Sequence, residues 1–144
     1  MMKTLLLNLI LVIACSCTAQ TVIPIDFLKN TKWIRIDSVY TDRSKTIMFS
    51  DKTYTRQTKY GMNGVVENTY QYYLSPTVPT SFDFSMVGKK TLGSYLVGYN
   101  SKMKNMFYYE IVSFEPTKLV LLRKGKPYSI GGANDLYMTY ERIK

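Results

Sequence analysis

Residues able to do chemistry are sparse in this chain, and those that stand out suit contact rather than bond-making. Segment 125–134 sets Ser129, Ile130, Gly131 and Gly132 between Pro127 and Asn134. Such a connection is longer than two paired strands need. Ile130 is a branched apolar side chain that must dock, either on the core or in a partner's pocket. Gly131 and Gly132 open backbone conformations closed to other residues. The plain structural alternative is a glycine bulge or floppy tip with Ile130 folded back. A second segment, Ser75-Pro76-Thr77-Val78-Pro79-Thr80-Ser81, is stiffened by prolines that fix φ. Pro76, Thr77, Val78 and Pro79 would therefore lose little entropy on binding. A simple edge-crossing connection explains the same residues.

Groups for bond-making are missing. Histidine is absent, which removes the commonest general base and metal ligand together. The two cysteines, Cys15 and Cys17, stand close to the N-terminus, leaving no thiol nucleophile in the body of the chain. The acidic residues are dispersed, and Glu67, Asp83 and Glu110 fall where outward-facing strand residues are expected. No glycine-rich phosphate loop opens a helix. The expectation is a binding module rather than an enzyme, with no catalytic residue, no metal and no cofactor.

The N-terminus bears on compartment. A basic Met1-Met2-Lys3 start precedes the run 5–14, apolar except for Asn8. That run is too short for the roughly twenty residues of a spanning helix and has the layout of an export signal. Val12-Ile13-Ala14-Cys15 resembles a bacterial lipobox, with cleavage before Cys15 and lipid on its sulfur. Alternatively, ordinary cleavage falls before Gln20. The expected organisation is a signal peptide over 1–19 and one domain over 20–144. It would face the periplasm as a lipid-anchored monomer or stand soluble outside the cytoplasm. The chain carries 19 Lys and Arg against 10 Asp and Glu. With the lysines scattered near turns, this reads as solubility and protected strand edges rather than nucleic-acid binding.

Alternating patterns then place the contact segments. Strands are predicted over 33–40, 46–49, 52–59, 65–74, 82–87, 91–99, 106–114, 118–124 and 136–143. Ser50-Asp51, Asn63-Gly64, Gly88-Lys89-Lys90 and Glu115-Pro116-Thr117 supply turns. Helix is expected only as one turn over 26–30, capped by Asp26. Eight to nine short strands at this spacing predict an all-β fold, a single small antiparallel barrel. With Trp33 and 13 tyrosines to place, a filled interior is expected.

Three stretches carry a resemblance. Phe27-Leu28-Lys29-Asn30-Thr31-Lys32-Trp33 resembles the opening of small lipocalin-like barrels. Phe49-Ser50-Asp51-Lys52-Thr53-Tyr54 is similar to their first hairpin. The stretch from Phe114 to Leu121, with Met138 to Ile143, looks like their closing strands. Ile130-Gly131, ahead of the last strand, is similar to the reactive pair of staphostatins, lipocalin-like inhibitors of papain-like cysteine proteases. That resemblance implies that Ile130 fills a specificity pocket. Gly131 would turn its carbonyl away from the oxyanion hole. It also implies a partner, an exported cysteine protease of the streptopain type. This chain departs from the family in its length, its export signal and its Gly132-Ala133. The second expectation is a lipocalin-like envelope lipoprotein holding a small apolar ligand inside the barrel.

Overall fold

The computed structural model describes residues 19–125 and 134–144. Along the chain run β1 (Ile23–Pro24), a 3-10 turn η1 (Ile25–Phe27), β2 (Lys32–Arg35), β3 (Arg43–Phe49), β4 (Thr53–Tyr60) and β5 (Val65–Ser75). A second 3-10 turn, η2 (Phe84–Met86), precedes β6 (Leu92–Gly93), β7 (Tyr95–Asn100), β8 (Asn105–Glu115), β9 (Lys118–Arg123) and β10 (Leu136–Ile143). Eight strands close into one antiparallel barrel in the order β10-β2-β3-β4-β5-β7-β8-β9, while β1 and β6 form a small outer pair. The all-β class and the barrel follow the alternation read from the sequence.

Register explains which side chains fill the barrel. Directly opposed residues on neighbouring strands share a face. Phe49 opposes Tyr54 and Ile47 opposes Arg56, while Tyr54 opposes Tyr70 and Arg56 opposes Asn68. Tyr72 opposes Gly98 and Leu74 opposes Leu96, and Leu121 opposes Met138. The aromatic members meet in a continuous set of contacts, with Tyr54 stacked on Tyr70 at 4.7 Å and edge-on to Tyr72 at 5.8 Å.

One end of the barrel is closed. Beneath it, η1 brings buried Ile25 and Leu28 against fully buried Trp33. The indole Nε1 donates to Thr31 Oγ1 at 2.7 Å, and the Thr31 hydroxyl donates onward to the Leu28 carbonyl. Burying tryptophan therefore leaves no orphaned donor. Phe114 packs edge-on to Trp33 at 5.9 Å and stacks with Phe27 at 5.5 Å.

The structure departs from the sequence expectations in four places. The strand expected over 91–99 is split at Ser94 into β6, which pairs with β1 outside the barrel, and β7 within it. The first strand stops at Arg35 rather than running to residue 40. The Asp37 carboxylate accepts from Arg35 Nε at 2.7 Å and from the Thr139 backbone N–H at 3.0 Å. It thereby takes a donor that strand pairing would have used. Stretch 82–87 is not a strand. Asp83 caps η2 by accepting from Ser85 N at 3.0 Å. Phe82 and Phe84 pack outside the barrel on Tyr99, at 5.3 and 4.9 Å. Their alternation mimicked a strand, but it serves an outer strap. Finally, Asp26 does not cap η1. It lies within the turn and pairs with Lys29 at 3.4 Å, while Pro24 holds the cap position without a side-chain bond.

Candidate functional site

The meander sends its connections to two opposite ends. Connections 36–42, 61–64 and 101–104, with residues 124–125 and 134–135, lie at one end, and the turn 50–52, the strap 76–91 and the turn 116–117 lie at the other with η1. Ser129, Ile130, Gly131 and Gly132 lie outside the described residues, as does Cys15. The described flanks of that segment sit at the end away from Trp33. There Asp135 accepts from Gly125 N at 3.0 Å and from Lys124 Nζ at 3.2 Å. These bonds hold the Asp135 carboxyl below the ordinary carboxylate range, the Gly125 N–H contributing most.

Pro76, Thr77, Val78 and Pro79 stand at the closed end. Ser75 Oγ donates to the Thr77 carbonyl at 2.7 Å, tightening the bend after β5. Val78 is exposed. The segment leads into the strap, and it does not line the cavity at the barrel's other end.

The end away from Trp33 opens inward. A cavity of about 210 Å³ is lined by Lys45, Arg56, Thr58, Asn68, Tyr70 and Tyr140, with Ile47 at its side. These residues come from β3, β4, β5 and β10, and the register that buries Phe49 and Tyr54 below also turns Lys45 and Arg56 inward above them. The interior is filled with aromatics toward Trp33 and open among polar groups toward the other end.

Arg56 dominates this cavity. Its Nη1 donates to Tyr109 Oη at 2.7 Å, and its guanidinium stands 5.5 Å from the Tyr109 ring centre. Among the described residues no carboxylate forms an ion pair with it. Burial works against its charge, but the oxygens of Tyr109, Tyr140, Tyr54 and Tyr70 outweigh that and hold the proton above the ordinary arginine value. Lys45 is pushed the other way. Burial lowers its value first, and the positive fields of Arg35, Arg56, Arg43 and Arg123 add to the effect. Burial likewise raises the Tyr140 hydroxyl.

Cations at inward positions of this end went unread in the sequence, although a signal existed. Arg43 and Lys45 share the parity of the core residues Ile47 and Phe49, and Arg56 shares that of Tyr54. A charged residue at core parity is the departure from patterning that marks a site. Among the described residues no group of three or more metal-ligating side chains forms. No family model matches this chain, and no curated protein and no solved structure matches it either.

Proposed function

We propose that this chain is a non-enzymatic binding protein of the cell envelope that takes a small molecule into the open end of its barrel. The observation that supports the reading is the division of the interior. Aromatic packing fills it toward Trp33, while a polar cavity remains among Lys45, Arg56, Thr58 and Asn68. A polar interior costs stability unless something satisfies it, and a barrel of eight strands has room for one small ligand. The size and polarity of the cavity favour a small polar molecule over the apolar ligand expected from the sequence. The test is a thermal-shift screen of the full chain against small polar, charged and apolar compounds. A ligand at a hundred times its dissociation constant stabilises by about 2.7 kcal/mol. Thr58→Trp, which fills the cavity, should abolish that shift. Stabilisation only by apolar compounds, unaffected by Thr58→Trp, would refute the reading.

A second reading keeps the staphostatin resemblance. The bonds from Gly125 and Lys124 to Asp135 draw the flanks of segment 126–133 together at the barrel rim, as a loop presented to a protease cleft requires. Inhibition of a streptopain-type protease, weakened by Ile130→Ala and turned into cleavage by replacing Gly131, would support it. Unchanged inhibition by both variants would dismiss the loop.

A further inference from the structure

We propose that the cavity at the open end is an anion site, taking a small molecule that carries a carboxylate, phosphate or sulfate group on Arg56 and Lys45. The inference rests on the reading of the barrel as a binding protein and specifies the class of its ligand.

Charge on the inner wall is one-sided. Strand register carries Arg35, Arg43, Lys45, Arg56 and Arg123 to the face and end that the cavity occupies, and no Asp or Glu shares that face on the eight barrel strands. Two carboxylates of the connection after β2 stand beside these cations, Asp42 being itself exposed. Asp37 binds Arg35 at 2.7 Å, and Asp42 stands 3.9 Å from Arg43. Among the described residues this leaves Lys45, Arg56 and Arg123 without a counter-ion.

Arg56 is the strongest of the three. A guanidinium carries five N–H donors in a fixed fork, and among the described side chains its hydrogen-bonding partner is the Tyr109 hydroxyl. That bond fixes the orientation of the plane and leaves the remaining donors for a ligand. A fork so held matches the two oxygens of a carboxylate or phosphate. An apolar side chain of similar volume would serve the fold better than an unpaired cation inside a barrel. Lys45, depressed by burial and by its cationic neighbours, shows the same uncompensated field from a second position. Thr58 and Asn68 add to the lining groups able to donate to further oxygens. At about 210 Å³ the cavity suits a small anion or a single charged head group, being below the usual range for drug-sized ligands.

The experiment is calorimetric titration of the full chain at constant ionic strength in chloride. The probes are inorganic phosphate, sulfate, acetate, glycerol 3-phosphate and neutral glycerol. Arg56 Nε–H resonances are followed in parallel by NMR. We expect saturable binding of at least one oxyanion with a moving Arg56 signal, and none of glycerol. Arg56→Gln should weaken that binding at least tenfold and Lys45→Gln severalfold, with circular dichroism unchanged. Arg56→Lys, which keeps the charge and loses the fork, serves should Arg56→Gln not fold, and it should weaken binding less. Binding of neutral molecules at the cavity with no oxyanion binding would overturn the anion proposal and leave the binding barrel standing. Absence of binding by any small molecule would overturn both. Oxyanion binding indifferent to Arg56 and Lys45 would overturn the site assignment.

Discussion

Gly98 on β7 makes room for Tyr54 on β4. A Cβ added at Gly98 would stand 2.3 Å from the Tyr54 hydroxyl oxygen and 2.9 Å from two of its ring carbons. The ring cannot retreat, because Tyr70 stacks on it at 4.7 Å and Phe49 and Tyr72 flank it at 5.6 and 5.8 Å. Gly98→Ala should therefore cost about 1–3 kcal/mol, the usual penalty for overpacking a core, read as a lower denaturant midpoint. Tyr54→Phe alone should be nearly neutral, since that hydroxyl is buried without a partner. Combined with Gly98→Ala, it should recover part of the loss. Strict additivity of the two changes would argue against the contact.

Charge at the open end should appear in the pH dependence of stability. Folded Lys45 releases its proton below the ordinary value of 10.5, through burial first and then through Arg35, Arg56, Arg43 and Arg123. Between its folded value and 10.5 the unfolded chain holds more protons, so stability contributed by this group rises with pH across that window. Below the window its full destabilising effect is present. Lys45→Gln should accordingly be more stable than the wild type at neutral pH, with the difference shrinking toward pH 10. Tyr54 and Tyr140, raised by burial, titrate in both proteins and cancel in the difference. A difference that is flat with pH, or that grows, would contradict the placement of Lys45.

Most of the barrel was legible because its strands are half-buried surfaces with a two-residue period. Asn63-Gly64 marked its hairpin, where Gly64 takes a φ of +105° and accepts from Tyr60 N at 3.0 Å. The last strand was read to its limits, as Leu136–Ile143 alternates cleanly against β9. Phe82-Asp83-Phe84 failed because aromatic alternation on the outside of a barrel looks the same as alternation facing in, and only Tyr73 and Tyr99 decide. Arg56 was passed over for another reason. Its charge at core parity was the one local signal, while its partner Tyr109 stands 53 positions away along the chain, and pairing across strands is invisible to local spacing.

The export reading makes its own prediction. If Cys15 becomes the lipidated N-terminus of the mature protein, labelled fatty acid should travel with it, and Cys15→Ala should remove the label. An unmodified N-terminus at Gln20 by intact mass would instead favour ordinary cleavage.

The open end of the barrel as the place of binding is tested most directly by mapping a ligand onto the chain. The compound that best stabilises the protein in the thermal screen is titrated while backbone and side-chain NMR signals are followed. The account predicts saturable shifts centred on Lys45, Arg56, Thr58, Asn68 and Tyr70 at the cavity, with Pro76 to Pro79 at the far end unmoved. Shifts confined to segment 76–81 or to segment 126–133, with Arg56 and Lys45 unchanged, would contradict it.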